Sequence, residues 1–161
     1  KGLLNYYPRV GWKVVKLSKE EYFDIVEIQE LLETYICSNI ADYVHNIDFD
    51  ELIEANNEIA RAIANKQYDS ILELNEKFHL IIYDVYPNIK LLDHLQSVWN
   101  SIKIQRNTMV KTDGFVQNIV KEHEEIINSL KDKDINRLLK ANRKHFTSGR
   151  IVIKNYYDEL E

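Results

Sequence analysis

One cysteine, four glycines and two prolines in 161 residues exclude several classes at once. A lone Cys37 rules out an intrachain disulfide, fits a reducing compartment, and reads as a small core residue. So little glycine and proline means few turns and long elements. There is no apolar run near the roughly 18 residues a membrane span needs, and no secretory leader pattern. The chain is therefore expected to be soluble and cytoplasmic, without a membrane partner. No glycine-rich phosphate loop and no nucleophile elbow occur. A basic surplus is missing as well: the net charge is -5, so most of this surface is not built to grip nucleic acid.

What remains is ordinary globular material, 45% apolar and 29% charged, which argues against disorder. The length suits one domain with a real core. The first stretch, Lys1 to Lys16, differs from the rest. Val10, Trp12 and Val14 alternate with Gly11 and Lys13, as in a short strand that needs a partner. It starts at Lys1 rather than Met, as a fragment would.

From Ser18 onward the period becomes helical. Ser18 with Glu21 makes a capping box. The spacing predicts helices over about 19–45, 48–66 (capped by Asp48), 69–85 (capped by Asp69), 89–111, 115–131 and 134–157 (capped by Asp134). Pro87-Asn88 and Asp113-Gly114 mark breaks between them. Six helices joined by short polar turns predict an all-α antiparallel bundle. On the first helix Phe23, Val26, Ile28, Leu31, Leu32, Tyr35 and Ile36 form the apolar side.

Three histidines fall on or beside inward faces. His123 sits among Val116, Ile119, Val120, Ile126, Ile127 and Leu130. His145 lies in the set Ile135, Leu138, Leu139, Phe146 and Val152. His79 flanks Ile71, Leu74, Phe78, Ile81 and Ile82, with Asn75 one turn earlier on the same flank. A buried imidazole must satisfy two ring nitrogens. If the three helices meet, three neutral imidazoles suit Zn²⁺ or a similar divalent ion. Spacing alone leaves core residues and metal ligands equally open. His45, at a helix end, and His94, beside Asp93, read as surface residues. A di-iron carboxylate site does not fit: Glu76 precedes His79 by three, but Val120 and Asn142 hold those places before His123 and His145.

Four pieces together resemble the FadR C-terminal (FCD) ligand-binding domain of GntR-type transcription regulators. They are the run Asp24 to Glu33; Asn75-Glu-Lys-Phe-His79 with Pro87-Asn88 after it; Glu122-His123; and Asn142-Arg-Lys-His145 after Asp134. The likeness spans about Glu20 to Gly149. It also gives the first stretch a meaning, since Arg9 to Val14 looks like the last strand of a winged helix-turn-helix wing. Residues 1–17 would then be the end of that domain and its linker, and 18–161 the helical effector-binding domain.

The resemblance implies a regulator rather than an enzyme. It implies a divalent metal, zinc or nickel, held by Asn75, His79, His123 and His145, and a small carboxylate effector completing the coordination. Operator DNA would be bound through a winged helix missing from this chain, by a homodimer, with Tyr35 and Trp99 as candidates for the dimer face. Two positions depart from the family pattern. Asn75 replaces the commoner Asp, and Gln29 stands where many members have an effector-binding Arg; Arg106 is a candidate for that role, its other reading being a surface salt bridge. From the residues themselves two other readings stay open. One is a metal-dependent helical enzyme using the same histidines with Glu76 or Glu122 as base. The other is an interaction module with structural histidines.

Overall fold

The computed structural model describes residues 4–9, 11–14, 17–110, 116 and 118–159. Two short strands, β1 (Leu4–Tyr7) and β2 (Gly11–Val14), pair antiparallel, with Asn5 opposite Lys13 and Tyr6 opposite Trp12. The expected strand therefore has its partner within this chain. Gly11, at φ 92°, closes the turn in a conformation that only glycine adopts without strain.

Six helices follow: α1 (Lys19–Asn39), α2 (Phe49–Ala64), α3 (Tyr68–Tyr83), α4 (Ile89–Met109), α5 (Ile119–Lys131) and α6 (Ile135–Asp158). The capping box of α1 is present in both directions. Ser18 Oγ accepts from the Glu21 amide, and the Glu21 carboxylate accepts from the Ser18 amide. Asp48 and Asp134 cap α2 and α6 through their side chains. Asp69 is not a cap. It lies in the first turn of α3, where its charge suits the helix dipole, and Gln67 holds the cap position. The first helix ends earlier than its periodicity suggests, at Asn39, and a 3₁₀ turn covers Val44–Asn46. The expected break at Asp113-Gly114 and the start of α5 at Phe115 lie outside the described residues.

α2 packs on α3 and α5, α5 on α6, and α1 against α4 and α6. The large core joins Ile36, Ile40, Leu52, Ile59, Phe78, Leu95 and Leu130. A smaller cluster of Tyr22, Val26, Ile102, Phe146 and Ile153 lies where α1, α4 and α6 meet. Cys37 is a free, buried thiol in the large core. Trp99 belongs there too, at 2% exposure, so it cannot serve a dimer face. Among the described residues no helix is long and apolar enough to cross a membrane.

The buried stripe of α1 differs from the one its apolar residues suggest. Tyr22, Val26, Gln29, Glu33, Ile36 and Cys37 face inward, while Ile28, Leu31 and Tyr35 face out. The inward set still follows the helical period. Two of its members are polar: Gln29 donates to Glu33 one turn on, and Glu33 is also satisfied from α3 and α4 by Tyr83 and Trp99.

Candidate metal centre

His79 on α3, His123 on α5 and His145 on α6 are brought together in the interior. Each offers a ligand atom, and these atoms lie within 4.8 Å of one another. The ring centroids are 5.0 to 5.3 Å apart. His123 is fully buried and stacks flat on Phe78 at 3.8 Å, which fixes its ring plane. Asn75, one turn before His79, is buried as well. His45 and His94 are exposed and take no part.

Each ring has its Nδ1 occupied, and the partners set the tautomer. The Asn56 amide nitrogen donates to the Val120 carbonyl, so its Oδ1 is the atom that faces His123 Nδ1 at 3.1 Å. An oxygen there can only accept, so Nδ1 carries the proton. The Glu122 carboxylate faces His145 Nδ1 at 2.9 Å and accepts from it in the same way. Glu122 is held in turn by the Ser148 hydroxyl, which donates at 2.5 Å. Around His79 the contact is longer. Tyr83 donates its hydroxyl proton to Glu33 at 2.7 Å, leaving the phenol oxygen to face His79 Nδ1 at 3.4 Å. With all three protons on Nδ1, the Nε2 lone pairs are what remains, as metal ligation requires.

The electrostatics agree with that assignment. Burial first, and then neighbouring His145 and Arg106, hold the His79 ring well below the ordinary histidine range. His123 is held down by burial, then by His145 and His79. Both rings stay neutral near pH 7, the form that binds metal. Two buried polar atoms here have no hydrogen-bond partner among the described residues: His123 Nε2 and Asn75 Oδ1. An orphaned buried acceptor costs about 1–3 kcal/mol. Both are lone-pair donors, and a cation held by the histidine cluster would satisfy the one on His123.

A buried carboxylate sits behind the cluster. Glu33 accepts from Gln29 at 2.7 Å, from the Trp99 indole at 3.0 Å and from Tyr83 at 2.7 Å. Burial pushes its carboxyl above the usual range, and these three donors hold it in check. Neither Glu33 nor Tyr83 stood out in the sequence. The available signal was a pair of polar residues, Gln29 and Glu33, four apart on an otherwise apolar helical face. Asn56, among Leu52, Ala55 and Ile59 on α2, carried the same signal.

A cavity of about 660 Å³ opens beside the cluster, lined by Asn75, His79, His145, Gln29 and Arg106 among others. Gln29 and Arg106, the two residues read as effector contacts, thus both reach this space. The Gln29 amide nitrogen is already committed to Glu33. Glu76 also reaches the wall but pairs with Lys103 at 3.1 Å.

Residues 24–148 match the FCD domain model. The chain belongs to the FCD domain family. Its relatives include YdhC of Bacillus subtilis strain 168, an HTH-type transcriptional regulator, 26% identical over 159 residues; the match covers 98% of this chain and 71% of that protein. Among solved structures, McbR/YncC of E. coli superposes with a TM-score of 0.86 at 16% identity, covering 96% of this chain and 74% of that one. A GntR-family transcriptional regulator from Pseudomonas syringae pv. tomato DC3000 superposes at 0.65 with 18% identity, covering 98% and 65%. At such identities the structural likeness speaks for the fold. This FCD domain keeps the three histidines in one cluster and carries a neutral Asn75 beside them.

Proposed function

We propose that this chain is the effector-binding and dimerising domain of a GntR-type transcription regulator. It senses a small carboxylate through a divalent metal, zinc or nickel, held by Asn75, His79, His123 and His145. The observation that carries this reading is the convergence of three imidazoles, each with its Nδ1 facing an oxygen, together with the lack of a partner for the buried His123 Nε2 and Asn75 Oδ1. A divalent ion that takes more than four ligands would, if held by these residues, bind an effector oxygen as a further one.

The chain's own residues supply the rest. Asn56, Glu122 and Tyr83 fix the three rings, so little reorganisation is needed on loading. The cavity wall is shared by α1, α3, α4, α5 and α6, so its filling bears on how those helices pack. Beyond it, the Tyr157 hydroxyl at the end of α6 donates to the Leu17 carbonyl at 3.2 Å, and Asp158 pairs with Lys19. The end of α6 is thereby tied to the segment leading back to β2. Residues 1–17 fit the end of a winged helix-turn-helix domain and its linker, with the operator-reading part supplied before Lys1. A ligand that binds one packing better than another would shift the paired DNA-binding domains relative to operator half-sites.

The relatives named as transcription regulators favour this reading over a catalytic one. So does the engagement of both carboxylates considered as bases, Glu76 with Lys103 and Glu122 with His145 and Ser148. The test is metal analysis of protein purified without a histidine tag, followed by zinc and nickel titration of the chelator-treated protein. We expect one divalent ion per chain, lost in His123→Ala. Absence of binding in the wild type would sink the metal-sensing reading.

A further inference from the structure

Of the three imidazoles, His79 alone has a neighbour of either polarity at its Nδ1. His123 Nδ1 faces the Asn56 amide oxygen and His145 Nδ1 faces the Glu122 carboxylate, groups that accept and do not donate. His79 Nδ1 faces the Tyr83 hydroxyl at 3.4 Å. A hydroxyl can give its one proton or accept through its lone pairs. That choice fixes the ring. A phenol that accepts demands Nδ1–H and leaves Nε2 bare. One that donates demands a bare Nδ1 and sends the proton to Nε2, where it blocks ligation.

The group that decides between them lies on another helix. The Tyr83 phenol keeps its proton, because burial and then the neighbouring Glu33 hold it well above its ordinary range. Three groups compete for that proton: Glu33 Oε2 at 2.7 Å, His79 Nδ1, and the Cys37 thiol. Glu33 is the charged acceptor among them, and charge-assisted bonds are the strong ones. Its other oxygen accepts from the Gln29 amide at 2.7 Å and from the Trp99 indole at 3.0 Å. Three donors converging on one carboxyl is the arrangement of an ionised acid. Glu33 belongs to α1, Trp99 to α4, and Tyr83 and His79 to α3. The hydrogen bonds of Glu33 among the described residues go to Gln29, Trp99 and Tyr83, so it reaches the histidine cluster through Tyr83.

We infer that Glu33 is the positioning residue that makes His79 a metal ligand: acting through the Tyr83 hydroxyl, its carboxylate selects the Nδ1–H tautomer and leaves Nε2 free. The third imidazole is therefore available only while α1 and α4 are docked on α3, so metal loading and the packing of these helices favour each other. The consequence for metal rests on the reading of the cluster as a metal centre, whereas the state of the ring can be read without metal.

Glu33→Gln tests it. The Trp99 indole can only donate, so it keeps the new amide oxygen on its side. The amide nitrogen then donates to Tyr83, and the Tyr83 proton turns to His79 Nδ1. Long-range proton–nitrogen NMR spectra of the metal-free protein at neutral pH distinguish the two tautomers ring by ring. The wild type should show Nδ1–H on all three. In Glu33→Gln, His79 should switch to Nε2–H while His123 and His145 stay as they are. Zinc affinity, measured by chelator competition, should fall about 10–100-fold, as when a partner behind a metal-binding histidine is lost. Adding Tyr83→Phe to Glu33→Gln removes the wrongly turned donor, so the double variant should bind zinc more tightly than Glu33→Gln alone. A merely structural Glu33 would make the double variant the weaker one. If Glu33→Gln does not fold, Tyr83→Phe alone serves, and His79 should then populate both tautomers. His79 held as Nδ1–H in either single variant, or a double variant weaker than Glu33→Gln, would overturn the inference while leaving the metal reading intact. If the wild type binds no zinc but His79 still switches in Glu33→Gln, the metal reading falls and the control of the ring by Glu33 stands.

Discussion

His123 Nδ1 lies 3.1 Å from Asn56 Oδ1, across the interface between α5 and α2, and that amide oxygen decides which ring nitrogen keeps a lone pair. Asn56→Ala removes the acceptor and leaves a buried N–H unpaired, at a cost of about 1–3 kcal/mol in stability. It should also weaken zinc binding by about 10–100-fold, the usual penalty for losing a partner behind a metal-binding histidine. Chelator competition measures the second effect and urea melts the first. An Asn56→Ala protein with wild-type zinc affinity would show that the ring needs no such orientation.

Asn75 contributes a neutral oxygen that is buried and partnerless. Asn75→Asp adds a negative charge beside the three imidazoles. With zinc present the carboxylate should tighten binding roughly tenfold, or about 1.4 kcal/mol. Without metal it is a buried anion lacking a cation, and the same variant should be less stable than wild type. The two effects have opposite signs, so melting temperatures with and without zinc separate them. Equal melting shifts in both conditions would mean that Asn75 does not face a metal.

The helices and the inward course of His79, His123 and His145 were legible because apolar residues repeat at the helical period over long stretches. Apolarity misled on α1. Ile28, Leu31 and Tyr35 look like core yet face out, and Gln29 and Glu33 look like surface yet are buried. The reason is non-local: Trp99 and Tyr83 lie 66 and 50 residues from Glu33, and their donors are what make its burial tolerable. Tyr83 was hidden for a similar reason, since an aromatic ring in a helix does not announce whether its hydroxyl finds a partner. The partner strand β1 was missed because Leu4–Tyr7, Leu-Asn-Tyr-Tyr, lacks the alternation that Val10, Trp12 and Val14 show.

The metal-free protein should lose stability as the solution is acidified. His79 and His123, depressed chiefly by burial, stay neutral in the fold, whereas in the unfolded chain they titrate near 6.5. Below that value the unfolded state binds protons that the folded state does not. Their contribution is therefore whole above pH 6.5 and is lost as pH falls. Glu33 acts in the other direction. Its raised carboxyl binds a proton in the fold above 4.5, so its contribution is present in acid and is lost as pH rises. Two imidazoles outweigh one carboxyl, so stability falls on acidification below about pH 6. Urea midpoints at about pH 7.5 and about pH 5.5, taken with a chelator present, check it. A midpoint that does not fall on acidification would contradict neutral burial of the two rings.

The outward stripe of α1 supplies the last expectation. Ile28, Leu31 and Tyr35 are 50%, 65% and 52% exposed and recur at helical spacing on one face. The Tyr35 ring meets Tyr86 edge-on at 6.4 Å, which extends the apolar surface past the helix. A contiguous patch of this kind is what a protein partner covers, and in a symmetric dimer the same stripe would meet its own copy. Leu31→Glu places a charge at its centre, and two such charges would face each other across the two-fold axis. Light scattering should show a dimer for the wild type and a monomer for the variant at micromolar concentration. Leu31 makes no part of the cavity, so zinc affinity should not change. A Leu31→Glu protein that remains dimeric would move the interface away from this face of α1.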